Sequence, residues 1–357
     1  MIQKFSVSRD DSIYQAWPDL TLTRTGRLVC VFSECTHHGD RSYTRIMLAN
    51  SEDRGRTWTP KRPLTEPFHK KVPEDLYWNC ARIMTLPDAR LAVVVDQIGG
   101  AGEGSGSKTI QKNVLYFSSD HGDTWNGPHP TPIAGIVPDK LVVLKHGPHA
   151  GRWLLNAHRY NQLGETQHWM QRLWYSDDQG LTWHGPVMIA ESFDLKLCEA
   201  CILELPGGEL VCFLRENAFT GMDGFKTISR DHGLTWCPVH PLPIPGCHRP
   251  VAGLLKSGHV LVTHRYLPGG RGGWGLWAQN TFATLIEAAD CLATQRNEVA
   301  TRVLPLDHDR SPISDTGYTG WVQFDDGEIY VVNYLLDDAP KAQIRGYAFT
   351  ESDIVLA

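Results

Sequence analysis

Short apolar runs recur along the chain, each interrupted by a tight turn and then resumed: LTLTRTGRLVCVF (20–32), IMTLPDARLAVVV (83–95), LVVLKHGPHAGRWLLNA (141–157), ILELPGGELVCFL (202–214), VAGLLKSGHVLVTH (251–264) and VQFDDGEIYVVNY (322–334). Alternation with a period of two, rich in Val, Ile and Leu, on both sides of a polar turn predicts a β-hairpin. Six hairpins follow, their turns roughly fifty to seventy residues apart. Helical periodicity is nearly absent: TFATLIEAADCLAT (281–294) fits a short helix, or a strand and a turn, equally well.

A second repeat falls in the gaps after the first four hairpins. SEDRGRTW (51–58), SSDHGDTW (118–125), SDDQGLTW (176–183) and SRDHGLTW (229–236) share the pattern S-x-D-x-G-x-T-W. The Asp carboxylate can accept backbone N–H bonds across the turn, Gly can take a positive φ, and Trp anchors the turn on apolar surface. These are structural duties. A four-stranded unit repeated about six times cannot bury both faces alone and stacks on its neighbours around an axis. The expected fold is all-β, a six-bladed β-propeller of four-stranded blades with Asp-box turns, forming one domain over 1–357. KFSVS and IRGYAFTESDI, near the two ends, are both strand-like and are expected to share a blade that closes the ring.

Charge narrows the partners. A formal net charge of −6 offers no general attraction to nucleic acid or anionic membrane. MIQKFSVSRDD lacks the apolar core of a signal peptide, and no apolar run is long enough to span a bilayer, so a cytoplasmic protein is expected. Nine cysteines, an odd number in a chain able to build its own core, fit reduced and buried thiols. The one CxxC, Cys198 and Cys201, would point its thiols to opposite faces of a strand, so neither metal nor cofactor is expected there.

In each hairpin the start of the first strand and the end of the second lie at one end. First-strand entries carry Asp19, Asn79 with Arg82, Asp139, Glu199, His248 with Arg249, and Tyr318; second-strand exits carry Glu34, Asp96, His158 with Arg159, Arg215, His264 with Arg265, and Tyr334. On inner strands these residues would crowd one mouth of the central channel, the usual ligand site of a propeller. The Gly-rich segments GGAGEGSGS (99–107) and PGGRGGWGLW (268–277) follow second-strand exits and would form flaps over it.

At this point the chain resembles the sialidase (neuraminidase) superfamily of Asp-box, or BNR-repeat, propellers, essentially over its whole length. CEACILELPGGELVCFLREN is similar to the blade in which a Glu opens the first strand and an Arg closes the second, mapping onto Glu199 and Arg215. THRY places Arg265 where the superfamily carries a further substrate-carboxylate arginine, and DTGYTGWVQFDDGEIYVVNY is similar to the segment bearing a nucleophilic tyrosine, here Tyr318. The resemblance implies a glycosidase acting on a carbohydrate substrate. A sugar with a carboxylate on its anomeric carbon repels an anionic nucleophile but admits a neutral tyrosine, which then needs an adjacent Glu to take its proton. Arginines would bind the sugar acid bidentately.

One departure stands out. Where the superfamily opens blade one with an Arg-Ile-Pro type motif, this chain reads YQAWPDL, with Ala16 at the arginine's place, followed by Trp17, Pro18 and Asp19. A lost bidentate contact costs about two to three decades in affinity. Arg159 and Arg249 are candidates to compensate, Asp19 adds the opposite charge, and Trp17 is a candidate to stack on a sugar face. The acid/base residue implied by the resemblance lies on the loop SECTHHGDRSY, which offers Asp40, Glu34, His37 and His38; Asp40 is the first choice, and either histidine could act as an acid near neutral pH. The expected protein is a sialidase-like exo-glycoside hydrolase removing a terminal sugar through Tyr318 and Glu199. The alternatives are a glycosidase or lyase on a uronic acid or deoxy sugar that uses the loop histidines, and a non-catalytic glycan-binding propeller.

Overall fold

The six predicted hairpins are the inner strands of six antiparallel sheets. In chain order their first strands are Tyr14–Leu22, Tyr77–Thr85, Val142–Val143, Leu197–Glu204, Cys247–Leu254 and Thr319–Gln323. Their second strands are Leu28–His37, Leu91–Gly100, Trp153–Leu163, Leu210–Glu216, Val260–Tyr266 and Ile329–Leu335. Each hairpin gains a third and a fourth strand, giving a six-bladed β-propeller; blade one carries one further short strand, Phe68–His69. The structure, a computed structural model, describes residues 2–100, 106, 108–267 and 279–355. The segment expected as a flap over 268–277, with its Trp274, lies outside these described residues, as does most of 101–107.

Gln3–Ser8 pairs antiparallel with Gln343–Phe349, Lys4 opposite Tyr347, so the two ends of the chain share blade six as expected. The ambiguous 281–294 segment resolves as the strand Asn280–Ile286 followed by a single 3-10 turn, Ala289–Leu292. Among the described residues no helix is long and apolar enough to cross a membrane. All nine cysteines are free thiols, eight of them buried.

Period-two alternation here serves two cores at once. Along Leu28–His37, Leu28, Cys30 and Phe32 pack against blade six while Val29 and Val31 pack against blade two. Leu210, Cys212 and Leu214 face blade three, and Val211 and Phe213 face blade five. A strand sandwiched between two blades must be apolar on both faces, which is why LVCVF and LAVVV read as nearly continuous apolar runs.

The Asp-boxes join third to fourth strands, at the end of the blades opposite the mouth. Asp53 accepts the Thr57 N–H at 2.8 Å and the Thr57 hydroxyl at 2.6 Å, while Gly55 N–H donates to Ser51 Oγ at 2.8 Å. Asp120, Asp178 and Asp231 repeat the pattern. The hydroxyl and amide of Thr57 hold the Asp53 carboxyl down at about 2. Gly55 has φ +82°, and a Cβ there would lie 2.3 Å from the Tyr330 ring, which packs beneath the box. Gly55→Ala is therefore expected to destabilise by at least about 2 kcal/mol through strain and overpacking, read as a lowered denaturation midpoint. No loss would mean that Tyr330 moves aside freely.

Candidate active site

The mouth is built by a repeated irregularity. In blades one, two, four and five the first strand carries one extra residue against its partner: between Ala16 and Asp19, Trp78 and Ala81, Cys198 and Cys201, and His248 and Val251. Such bulges bend a strand and re-aim a side chain. The residues at three of these kinks, Trp17, Glu199 and Arg249, take φ of +52°, +46° and +53°, conformations that non-glycine residues adopt only under surrounding constraint. In blade two Asp96 holds the kink, accepting Cys80 N–H at 2.7 Å and, from blade three, Val137 N–H at 2.9 Å. In blade four the Glu199 N–H donates to His158 Nδ1 at 3.3 Å.

These kinks bring the predicted pair together. Tyr318 Oη donates to Glu199 Oε1 at 2.5 Å, and Arg215 Nη1 donates to Glu199 Oε2 at 2.6 Å. Arg249 and Arg265 set their guanidinium carbons 5.5 and 5.3 Å from the Tyr318 ring centroid. Tyr318 and Glu199 keep 7% exposure each, whereas the three arginines are fully buried. Burial alone would raise the Glu199 carboxyl, but Arg215 above all brings it down to about 2. Burial and the neighbouring carboxylate push the Tyr318 phenol well above its ordinary value. The resting site thus holds a neutral phenol whose proton is already aimed at an ionised carboxylate.

Other predicted residues lie elsewhere. Asp19 is fully buried in the channel wall, accepting Ile83 N–H from blade two at 2.8 Å with Lys140 Nζ at 3.0 Å and Arg82 Nε at 3.4 Å. Trp17 is 2% exposed, with the Arg41 guanidinium 3.9 Å over its ring. Asp40 sits exposed at a hairpin tip, its carboxylate accepting Ser42 N–H at 2.8 Å. Arg159 is half-buried opposite Met170 in blade three. His37 Nδ1 accepts Gly39 N–H, while His38 turns inward and meets Asp315. Asp315, in the loop ahead of Tyr318, was not among the predicted residues. Among the described residues no three His, Cys, Asp or Glu side chains group to hold a metal ion. A cavity of about 540 Å³ opens at the turn end of the inner strands beside Lys140, Glu204 and Trp321, and neither Tyr318 nor Glu199 lines it.

Buried histidines make the mouth acid-sensitive. Burial lowers His158 and His264 to about 4 each. Between pH 6.5 and about 4 the unfolded chain binds protons that the folded chain does not, so stability falls as pH drops through that window, by up to about 3 kcal/mol per histidine. Asp96 and Asp139, whose buried carboxyls are raised, act in the opposite sense. The melting temperature is expected to decline from pH 6.5 downward, less steeply in His158→Gln plus His264→Gln; an unchanged slope in that variant would place the sensitivity elsewhere.

Comparison with known proteins agrees with this architecture. Residues 26–272 match the family described as BNR repeat-like domain. A protein of unknown function from Dyadobacter fermentans superposes with a TM-score of 0.73 at 20% identity, over 97% of this chain and 98% of its own. A Hadza microbial sialidase gives 0.66 at 17%, over 99% and 69%. An α-L-arabinanase from Penicillium chrysogenum gives 0.61 at 14%, over 98% of each chain. At these identities the likeness is one of fold.

Proposed function

Because this chain belongs to the BNR repeat-like domain family, whose fold it shares with sialidases and an arabinanase, we propose that it is an exo-glycoside hydrolase with Tyr318 as nucleophile and Glu199 as its base. The carrying observation is the 2.5 Å hydrogen bond from Tyr318 Oη to a carboxylate that Arg215 holds ionised. A phenol is a weak nucleophile at neutral pH. Its acidity rises as its oxygen bonds to the anomeric carbon, and Glu199 takes the proton at that moment.

The charge around the pair supports an acidic sugar. Arg215, Arg249 and Arg265 supply three positive charges near Tyr318, against Glu199 and Asp315. Blade one supplies no arginine at Ala16, which is fully buried, so the sugar would be held from blades four, five and six.

The test is fluorophore or chromophore release from a panel of aryl α-sialosides, uronides and deoxyglycosides by wild type and Tyr318→Phe. Turnover of one class that the variant lacks is the expected result. Turnover that survives in Tyr318→Phe would refute the nucleophile, and a wild type that binds sugars but turns over none would favour the glycan-binding alternative.

A further inference from the structure

A second set of titratable side chains meets where blade one faces blade six. His38, at the tip of the hairpin between the second and third strands of blade one, places Nδ1 against Asp315 Oδ2, and Tyr14 Oη donates to the same oxygen. Tyr334 Oη donates to Asp315 Oδ1 at 2.6 Å. Asp315 is itself fixed, its N–H donating to Asp309 Oδ2 at 3.0 Å, an oxygen that also accepts Leu336 N–H at 3.0 Å. An ionised carboxylate accepts hydrogen bonds and gives none. Nδ1 of His38 therefore carries the proton in that contact, and Nε2 is the nitrogen that gains or loses one.

This cluster belongs to the same mouth as the nucleophile. Tyr334 Oη accepts Arg265 Nη2–H at 3.2 Å, the Arg265 guanidinium lies against the Tyr318 ring, and the Tyr318 and Tyr334 rings are 6.1 Å apart. His38 also meets the Trp17 ring edge-on at 5.2 Å. Beside the cluster opens a cavity of about 300 Å³, bounded by His38 and Asp315 together with Tyr14, Gln279, Ile313 and Leu336. Both members of the dyad form part of its wall, and Ile313, 64% exposed, stands at its rim.

We propose that His38, positioned by Asp315, is the acid/base residue of the cleavage in place of Asp40, and that the adjoining cavity receives a leaving group with an apolar or aromatic face. The inference rests on Tyr318 acting as nucleophile. In the first half-reaction the Tyr318 oxygen bonds to the anomeric carbon and its proton passes to Glu199. The glycosidic C–O bond breaks, its electron pair stays on the departing oxygen, and that oxygen takes the Nε2 proton of the His38 imidazolium. In the second half-reaction water gives a proton to Nε2 and its oxygen displaces Tyr318, which recovers its proton from Glu199. The net change is addition of one water across the bond. Among the described residues the charged group that His38 meets is Asp315, with Arg265 3.9 Å behind it; His37, Asp40 and Arg41 are its charged or titratable neighbours along the same hairpin.

The experiment compares wild type, Tyr318→Phe, His38→Gln and Asp315→Asn on two glycosides of the sugar found active, one leaving as dinitrophenol and one as phenol. Loss of a proton donor is felt by the poor leaving group. His38→Gln is expected to lose at least about a hundredfold in kcat/KM on the phenyl glycoside and less than about tenfold on the dinitrophenyl glycoside. Asp315→Asn should follow the same pattern more weakly. Proton NMR should show a downfield imidazole Nδ1 proton in wild type that both variants lack. Equal losses on the two glycosides, or an unimpaired His38→Gln, would overturn the dyad while leaving the nucleophile standing if Tyr318→Phe is inactive. A wild type inactive on every glycoside would overturn both. Should Asp315→Asn fail to fold, His38→Gln decides, since His38 lies on a partly exposed hairpin tip.

Discussion

Tyr318→Phe should lower kcat on the active glycoside by about a thousandfold or more, with a change in stability near 1 kcal/mol. The variant removes one oxygen and leaves the ring between Arg249 and Arg265. Glu199 loses the phenol but keeps Arg215 at 2.6 Å, so no buried charge is stranded and the cost is that of a single hydrogen bond. The catalytic loss is expected to be of another order, because removing the proposed nucleophile would force a different mechanism on the site. Steady-state kinetics and denaturation on the same preparation separate the two effects. A large loss in both would mark Tyr318 as a structural residue.

The second large effect is on stability. Arg215→Met is expected to cost about 3 to 5 kcal/mol, because it leaves the Glu199 carboxylate buried without its counter-charge. The arginine is 1% exposed and also donates to Asn217, so little water is at hand to take its place. The double variant Arg215→Met with Glu199→Gln should recover part of the loss, since what destabilises is the stranded charge rather than the missing bond. Denaturant midpoints for the two singles and the double give the coupling directly; additive losses would contradict it.

Much of the fold was legible because its causes are local. Alternation about polar turns marks every inner hairpin, and the boxes announce their turns through Asp, Gly and Thr close together in the chain. Glu199, Arg215 and Tyr318 were reached through strand ends and family resemblance, and the structure joins them. What escaped depends on contacts remote in sequence. Asp315 is 277 residues from His38, in an aperiodic loop, and nothing near His38 in the chain hints at its partner. The turn of Asp19 to a neighbouring blade's N–H is likewise unannounced by its place at a strand entry. At Trp17 the kink at φ +52° and the cover of Arg41 are both invisible in YQAWPDL.

The shared sixth blade bears on how the protein comes to work. Tyr318 precedes the inner strand of the one sheet assembled from both ends of the chain, with Gln3–Ser8 laid against Gln343–Phe349. Pairing Gln3 with Ala348 closes a loop of nearly the whole sequence, the slowest kind of contact for a folding chain to make. During synthesis the early blades can stack while that sheet still waits for its last strands. The proposed nucleophile would then be seated only when the circle shuts, so that on this proposal a nascent or nicked ring would be chemically silent, and gain of activity after dilution from denaturant would become a clock for closure.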